Sequence, residues 1–342
     1  MNIEIVNIFR KKTILITGAS GMIGRNIIKF LTKINSTYHT DIKIIAHVRN
    51  KEKAERVFKN ILYRKEFQLV VSDITELEIQ QKVDYIIHTA GVTGGSKQHL
   101  EFPMKTINTA LMGTKKVLDC ALENHIKGMV FLSSLEVYGD TGMNEKYIYE
   151  TDGGYIDITN PRSSYSESKR MCECMCASYT KQYGVPIYIA RLTASFGECV
   201  SYNDKRVFSE FAKCIIDKRD IVLKSTGETI RNYCDAEDVA IACMVLLAKG
   251  EAGQAYNVAN MDTEISIKDL AEKFIYLYPE SESNIIFDLS IDEKKLGYNG
   301  VMRNVLNSEK LMKLGWKPVN TLDSTIKKLV QNMKNEKLEE EI

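Results

Sequence analysis

Four side chains in the middle of the chain have the types and spacing needed for acid–base chemistry. Tyr165 and Lys169 are four residues apart, so they share one face if this stretch is helical. A free tyrosine has a pKa of about 10, and a neighbouring ammonium favours the phenolate, which would make Tyr165 a general acid or base. Ser134 could donate a hydrogen bond to the same substrate oxygen, and Glu136 lies two positions beyond it.

A glycine-rich turn near the N-terminus predicts the ligand that this chemistry would use. An apolar run over 14–17 is followed by Gly18, Gly21 and Gly24, and then by apolar residues at helical intervals. Strand, tight turn and helix in this order aim a helix N-terminus at an anion, and glycine lets the backbone approach that anion closely. The stretch therefore predicts a dinucleotide site, and the positive nicotinamide ring would further favour the Tyr165 phenolate.

The ends of three further predicted strands would line the same cofactor. The second strand ends at Arg49, where an acidic residue would bind the 2′-hydroxyl of the adenosine ribose. Arg49 could instead meet a 2′-phosphate, which favours NADP, or be a solvated charge, and both interpretations stay open. Asp73 closes the third strand where the adenine edge would lie. The small residues Thr89, Ala90 and Gly91 follow the fourth strand and would let the cofactor pass close to the backbone.

The elements that must position these residues alternate between strand and helix. Strands that are apolar throughout indicate a parallel sheet covered on both faces. The later chain is expected to form a smaller lobe over the carboxyl ends of the strands, where ligands bind in such sheets. There, 200–228 and the region after 262 look irregular, and the polar end from 335 looks frayed. The predicted strands are 14–17, 42–48, 67–72, 83–88, 129–133 and 187–192, and the predicted helices include 103–123, 165–181 and 236–247.

Composition argues against several classes of protein. The 342 residues carry a net charge of +1, which gives no electrostatic case for binding nucleic acid or an anionic membrane surface. Apolar runs are too short for a membrane span and the first residues lack a secretory core, so a cytoplasmic location is expected. The eight cysteines are expected to be reduced and packed. Cys172, Cys174 and Cys176 do not have metal-ligand spacing, and no metal is predicted.

Several motifs, taken in order, resemble those of one enzyme family. The segments TGASGMIG, FLSSLEVYG, YSESK, RLTASFG, RNYCDAEDVA, YNVAN and LGWKP are similar to those of the extended short-chain dehydrogenase/reductases, the NAD-dependent epimerases and dehydratases. The resemblance covers nearly the whole chain. It implies an α/β fold, a Rossmann-type doubly wound parallel sheet with a smaller mixed α/β substrate-binding lobe. The dinucleotide domain would cover 1–190 and about 235–260, and the lobe 191–234 and 261–342.

The resemblance also implies roles for individual residues. Ser134, Tyr165 and Lys169 would form the catalytic triad, and a nucleotide sugar would be the substrate. The residues expected to contact that substrate are Thr93, Arg231 and Arg303, the two arginines by gripping its diphosphate. The residues expected to bind the cofactor, NAD or alternatively NADP, are Gly18, Ser20, Gly21, Met22, Ile23, Gly24, Arg49, Asp73, Ile74, Thr89, Ala90, Gly91, Tyr165 and Lys169.

Glu136 narrows the reaction that the resemblance implies. An acidic residue two positions after the catalytic serine or threonine is typical of the 4,6-dehydratases and UDP-glucuronate decarboxylases, the nearest groups by resemblance. We therefore expect oxidation of a sugar at C4 to a 4-keto intermediate, followed by dehydration, decarboxylation or epimerisation, with Glu136 as a fourth catalytic residue. Two alternatives remain open. One is an NADPH-dependent ketoreductase of a 4-ketosugar or related carbonyl, which Arg49 favours, and the other is a non-catalytic dinucleotide sensor.

The resemblance also implies an oligomer. Members of the family usually dimerise through two helices, which here would be 104–123 and 165–181. Met171, Met175 and the cysteines of the second helix could pack at that interface. A homodimer is therefore expected.

Overall fold

Helices packed on a parallel sheet organise the chain, as a computed structural model shows for residues 2–91, 96–142, 146–290 and 301–340. In chain order the strands are β1 (Thr13–Thr17), β2 (Lys43–Val48), β3 (Phe67–Val71), β4 (Tyr85–His88), β5 (Gly128–Ser134), β6 (Ile187–Leu192), β7 (Ala194–Phe196), β8 (Ile221–Leu223), β9 (Ile230–Asp235), β10 (Ala255–Val258), β11 (Asn260–Ser266), β12 (Ile285–Phe287) and β13 (Arg303–Asn304). The helices are α1 (Ile3–Ile8), α2 (Met22–Tyr38), α3 (Lys51–Val57), α4 (Ser96–Glu101), α5 (Pro103–Glu123), α6 (Ser164–Tyr183), α7 (Val207–Ile216), α8 (Ala236–Lys249), α9 (Ile267–Leu277), α10 (Glu309–Met312) and α11 (Leu322–Glu340).

The main sheet has the strand order β10-β6-β5-β4-β1-β2-β3, and each neighbouring pair in it is parallel. The strand order reverses between β1 and β4. In open parallel sheets the crevice at such a reversal, outside the carboxyl ends of the strands, is where ligands bind. The sheet has the Rossmann order, and the predicted doubly wound α/β fold is confirmed.

Alternate side chains of β1 show how the sheet is covered on both faces. Ile14 and Ile16 lie in one apolar cluster with Leu31 of α2 and with residues of α8. Leu15, between them, lies in the opposite cluster with Val117 of α5 and with residues of α6. Because successive side chains of a strand point to opposite faces, an unbroken apolar strand requires helices on both sides.

The second lobe is more regular than its sequence suggested. Strand β9 pairs with β7, β11 and β13, and β8 pairs with β12. Helix α7 lies inside the stretch predicted to be irregular, and that prediction is wrong there. Phe208, Phe211 and Ile215 recur at helical intervals, and with Phe274 of α9 and Ile326 of α11 they form the core of the lobe.

Helix α11 also corrects the expectation of a frayed polar end. The helix continues to Glu340, and its last turns make specific contacts. Glu336 accepts hydrogen bonds from the Ser201 hydroxyl at 3.1 Å and from the backbone N of Tyr202 at 2.7 Å. Lys337 donates to Asp217 at 2.9 Å. Polar side chains order this helix end because they meet partners far away in the sequence.

The segment over residues 198–202, here called the bracing loop, connects this last helix to the first turns of α2. Asn332 of α11 donates to the carbonyl oxygen of Val200 at 2.8 Å. On the other side, Asn26 of α2 donates to the carbonyl oxygen of Glu198 at 2.8 Å, and Arg25 donates to that of Cys199. The bracing loop is therefore held from both sides, next to the glycine turn.

Candidate active site

Two of the three glycines in the turn after β1 are needed to build the turn itself. Gly18 has a φ of +65°, and a Cβ on it would lie 2.7 Å from the Cα of Ala90, beyond the end of β4. A Cβ on Gly24 would lie 2.7 Å from both the Cα of Ala19 and the carbonyl oxygen of Gly18. Glycine at these two positions therefore lets β1, β4 and α2 approach one another closely.

The third glycine, Gly21, is exposed and lies where the anion site is predicted. It is the exposed N-cap residue of α2, and among the described residues no N-cap side chain accepts a hydrogen bond from the first backbone N–H groups of the helix. A Cβ there would lie 3.1 Å from the carbonyl oxygen of Gly18. Ser20, Met22 and Ile23 flank it and are half-buried. Uncapped N–H groups at a helix N-terminus attract an anion, so these residues fit the pyrophosphate of a dinucleotide.

The ends of β2 and β3 lie where the adenosine half of that cofactor is expected. Thr75 donates to Asp73 through its backbone N at 3.0 Å and its hydroxyl at 2.8 Å. These bonds lower the pKa of the Asp73 carboxyl, and the charge of Arg49 adds to the effect. Ile74 is buried beside them, whereas Arg49 is exposed directly after β2. A cation therefore stands at the strand end predicted to meet the adenosine ribose.

The ammonium of Lys169 lies close to the turn after β4. The Thr89 hydroxyl donates to the carbonyl oxygen of Thr17 at 2.6 Å and so joins the ends of β4 and β1. A Cβ on Gly91, two residues later, would lie 3.8 Å from Nζ of Lys169. Lys169 is buried, donates to the carbonyl oxygen of Leu132 at 2.7 Å, and has its pKa lowered by burial. Its charge is thus held beside the predicted path of the cofactor.

Tyr165 lies in the first turn of α6, and its ring is half-buried. It stacks on His99 of α4, with ring centroids 4.7 Å apart and ring planes inclined at 25°. Burial raises the pKa of Tyr165 to about 12, and the negative charge of Glu136 acts in the same direction, while a hydrogen bond with Ser134 opposes them. The neighbouring Lys169 alone therefore does not make Tyr165 a phenolate at neutral pH, which differs from the expectation drawn from their spacing.

Glu136 is held by a guanidinium group and a hydroxyl. Arg162 donates to both of its carboxylate oxygens, at 2.7 Å and 3.0 Å, and Ser166 donates to one of them at 2.9 Å. Burial raises the pKa of the Glu136 carboxyl, but these bonds and the nearby charge of Arg231 outweigh burial, and the net effect lowers the pKa. Glu136 is therefore ionised at neutral pH, next to the hydroxyl of Tyr165.

A buried ion pair fixes the end of β5 behind Ser134. Ser134 accepts a hydrogen bond from the backbone N of Glu136 at 3.2 Å. Its neighbour Ser133 donates to Glu173 of α6 at 2.5 Å, and Glu173 pairs with Arg191 of β6 at 2.7 Å. The strand that carries the serine is thereby tied to the helix that carries the tyrosine and lysine.

The three predicted substrate contacts have different outcomes. Arg231 is half-buried in β9, and its Nε is buried with no hydrogen-bond partner among the described residues. Arg303 pairs with Glu264 at 2.6 Å and donates to the carbonyl oxygen of Lys146 at 3.3 Å. Thr93 lies outside the residues that the structure describes. Arg231 is therefore the arginine that has hydrogen-bonding capacity left for a ligand.

Sequence reasoning missed three side chains at this site, namely His99, Arg162 and Ser166. Ser166 directly follows Tyr165 in the chain and Arg162 lies three residues before it, so their closeness to a recognised motif was an available signal. His99 lies far earlier in the chain and belongs to no motif, and no local pattern pointed to it.

Within the described ranges, no group of three His, Cys, Asp or Glu side chains is placed to hold a metal ion. Cys172 and Cys176 are buried in α6, and Cys174 between them is exposed. No helix in the same ranges is both long enough and apolar enough to cross a bilayer.

Comparison with known families decides the class of this site. The family model described as the NAD dependent epimerase/dehydratase family matches residues 14–259, from β1 to the end of β10. The chain belongs to the NAD-dependent epimerase/dehydratase family. Membership confirms the resemblance found in the sequence, the prediction of a nucleotide-sugar enzyme of this class, and NAD as its cofactor.

Individual relatives of this chain carry names from two branches of the family. A dTDP-D-glucose 4,6-dehydratase from Mus musculus is 26% identical over 331 residues, which cover 94% of this chain and 88% of the relative. A UDP-glucuronic acid decarboxylase 1 from Danio rerio is 28% identical over 332 residues, which cover 95% of this chain and 73% of the relative.

Solved structures of the family share the fold. A dTDP-glucose 4,6-dehydratase from Bacillus anthracis in complex with NAD has a TM-score of 0.77 at 21% identity, covering 95% of this chain and 97% of the other. A UDP-glucose 4-epimerase from Thermotoga maritima with UDP-glucose has a TM-score of 0.79 at 18% identity, covering 94% and 99%. At these identities the likeness shows the fold alone.

Proposed function

We propose that this protein oxidises the C4 hydroxyl of a nucleotide-linked sugar and then acts on the resulting 4-ketosugar. The observation that carries the proposal is the meeting of Ser134, Glu136 and Tyr165 at the carboxyl end of β5, beside the buried Lys169. Bound NAD would accept a hydride from C4 of the sugar and return it later. A cofactor that is recycled in this way should stay bound between turnovers.

In the first step Tyr165 is the general base and Ser134 orients the substrate. The Tyr165 hydroxyl must lose its proton to take one from the sugar, and its pKa of about 12 opposes this. A positive charge near the ring lowers the pKa of a phenol. Arg162 and Arg206 act in this direction on Tyr165, and the oxidised cofactor would add a further positive charge. Ser134 would donate a hydrogen bond to the C4 oxygen and hold it between the base and the cofactor.

In the second step Glu136 is the residue that moves a proton. A ketone at C4 makes the C5 hydrogen acidic, and it makes a C5 carboxylate a β-keto acid that can lose carbon dioxide. Because Arg162 and Ser166 keep the Glu136 carboxyl ionised, it enters this step as a proton acceptor. In dehydration the proton that Glu136 takes from C5 can pass to the departing C6 hydroxyl, which leaves as water. In decarboxylation carbon dioxide leaves without a base and C5 then takes a proton from solvent, and in epimerisation only the hydride returns, to the other face of C4. Relatives named for the first two reactions support the proposal.

Arg231 and Arg49 are the proposed contacts to phosphate groups. The unpartnered Nε of Arg231 would donate to the diphosphate of the substrate. Arg49 would lie beside the adenosine ribose, and its charge favours a second candidate function, an NADPH-dependent ketoreductase of a 4-ketosugar. A non-catalytic dinucleotide sensor is the least supported alternative, because the tyrosine and lysine of the catalytic pair are both in place.

The first experiment identifies the dinucleotide that the purified protein carries. The protein is denatured and any released dinucleotide is identified by mass spectrometry. We expect retained NAD, after which UDP-glucuronate and nucleotide-hexoses are tested for loss of carbon dioxide, loss of water or epimerisation. NADP, or a site that fills only with added NADPH, would instead favour the ketoreductase.

Replacing the proposed base tests the catalytic assignment. We expect Tyr165→Phe to lower turnover by about 10²–10⁴-fold while NAD stays bound, because the variant loses one proton-transfer group and little else. Tyr183→Phe, at the exposed end of the same helix, is the matched control and should keep full activity. Full activity in Tyr165→Phe would remove Tyr165 from the mechanism.

A further inference from the structure

His99 covers one face of the ring of the proposed base. Its imidazole stacks on Tyr165 with centroids 4.7 Å apart and planes inclined at 25°, and His99 is itself 3% exposed. The two residues come from different helices, α4 and α6. The Ser164 hydroxyl, next to Tyr165, donates to the carbonyl oxygen of His99 at 3.5 Å. The start of α6 therefore has a polar contact to α4 as well as the stack.

The orientation of the imidazole is fixed by Thr106 of α5. Nδ1 of His99 lies 3.1 Å from the Thr106 hydroxyl, which in turn donates to the carbonyl oxygen of Phe102 at 3.4 Å. The hydroxyl therefore accepts from His99, and we assign the neutral tautomer with its proton on Nδ1. Burial lowers the pKa of His99, the charge of Arg162 lowers it further, and that of Glu136 opposes them. The imidazole is neutral at neutral pH.

We infer that His99 is a positioning residue for Tyr165, which it shields from water by stacking on the phenol ring. Burial is the largest influence on the pKa of Tyr165, and the imidazole of His99 covers one face of the buried ring. The charged groups whose fields reach the same hydroxyl are Glu136, Arg162 and Arg206. The role of Tyr165 as the base rests on the proposed function, whereas the shielding by His99 does not.

Two neutral substitutions separate the stack from the hydrogen bond. His99→Phe keeps an aromatic ring over Tyr165 and loses the bond to Thr106, whereas His99→Asn can keep the bond and loses the ring. Tyrosine labelled with ¹³C is incorporated, the Tyr165 resonance is assigned with Tyr165→Phe, and its ionisation is followed with rising pH. We expect the pKa of Tyr165 to stay near 12 in His99→Phe and to fall towards about 10 in His99→Asn.

An unchanged Tyr165 titration in His99→Asn would overturn the inference, and so would an equal fall in both variants. If His99→Asn does not fold, the parent protein supplies the test, because His99 itself titrates below its usual value of about 6.5. The Tyr165 ring resonances should then shift with the midpoint of the His99 titration, and no shift at that midpoint would equally overturn the stack. Neither titration needs a substrate. Both therefore test the role of His99 even if no reaction is found for the protein.

Discussion

At the scale of single residues, Glu136 shows how one carboxylate acquires a defined charge. Burial raises the pKa of its carboxyl, but the two bonds from Arg162 and one from Ser166 oppose burial, and the net effect lowers the pKa. The same charge raises the pKa of Tyr165. The two proposed proton carriers are therefore coupled, and a change at one must appear in the titration of the other.

Removing the charge of Glu136 tests both consequences. We expect Glu136→Gln to leave the first oxidation possible and to slow the second step, so that a 4-keto intermediate accumulates and is detected by mass spectrometry of the sugar. Because a negative charge is lost, the pKa of Tyr165 should fall. Glu167→Gln, in a partly exposed ion pair with Arg170 on the same helix, is the control. Unchanged turnover in Glu136→Gln would place the protein among simple epimerases or reductases.

The residues that could be predicted at this scale are those in local motifs. Tyr165 and Lys169 lie on one helix, and Ser134 and Glu136 lie at one strand end. The distance between the members of each pair in the fold therefore follows from their spacing in the sequence. The pairing of Arg162 with Glu136 and the stack of His99 on Tyr165 join separate elements. Contacts of that kind depend on how helices are placed on the sheet, which no local pattern encodes.

At the scale of elements, the three glycines of the turn after β1 have different structural roles. Gly18 and Gly24 allow the close approach of β1, β4 and α2, whereas Gly21 is exposed and is proposed to contact the cofactor. The sequence pattern predicted the turn as a unit, since strand, glycine spacing and helix are contiguous. The different roles of the glycines could not be predicted in this way, because they depend on contacts with residues such as Ala90 that are distant in the sequence.

Two alanine substitutions separate these roles. We expect Gly24→Ala to lower the free energy of unfolding by about 1–3 kcal/mol, because the new Cβ meets backbone atoms at 2.7 Å. Gly21→Ala should cost less stability than Gly24→Ala, because its Cβ meets one backbone atom at 3.1 Å, and it should weaken NAD binding. Urea unfolding and isothermal calorimetry with NAD measure the two effects. The division fails if Gly21→Ala binds NAD as tightly as the parent protein.

A buried histidine links β1, β4 and α5, and it should make the fold sensitive to acid. His88 lies 2.6 Å from the Thr17 hydroxyl through Nδ1 and 3.2 Å from the Thr114 hydroxyl through Nε2. Burial, with a smaller contribution from the charge of Lys169, lowers the pKa of His88 to about 3. Below about pH 6.5 His88 is protonated in the unfolded chain but stays neutral in the folded protein. The free energy of unfolding therefore falls as the pH drops from about 6.5 towards 3.

The size of this effect can be measured as a difference between two pH values. Between pH 7 and pH 5 the His88 contribution to the free energy of unfolding should fall by about 2 kcal/mol. Urea unfolding at both pH values should therefore show a smaller loss in His88→Asn than in the parent protein. His125→Gln, at an exposed histidine, should keep the loss of the parent. Equal losses in all three proteins would rule out His88 as the acid-sensitive group.

At the scale of the whole molecule, the outer face of α5 and α6 is the proposed dimer interface. The two helices pack side by side on one face of the sheet, and they expose Met112 (58%) and Met171 (51%). Exposed methionines on neighbouring helices are suited to a helical interface with a second copy of the chain. The expected homodimer therefore remains a proposal with an identified surface.

Charged substitutions on that face should separate the two copies. We expect the parent protein to sediment as a dimer at micromolar concentration, and the double variant Met112→Glu with Met171→Glu to sediment as a folded monomer, because buried unpaired carboxylates are costly. Tyr276→Gln, which removes an exposed apolar side chain from α9 in the other lobe, is the control. A parent protein that is monomeric at this concentration would contradict the proposal.

The way the last helix holds the bracing loop has a consequence for synthesis on the ribosome. The glycine turn and the first turns of α2 are made early, but their outer support arrives only with Asn332 and Glu336. About 300 residues separate the two, and at roughly 5–20 residues per second the wait is about 15–60 s. Throughout that time the glycine turn lacks this support, and from the synthesis of β10 onward all seven strands of the main sheet have been made without it. A chain stalled before α11 should therefore bind its cofactor weakly, and synthesis of α11 should strengthen that binding.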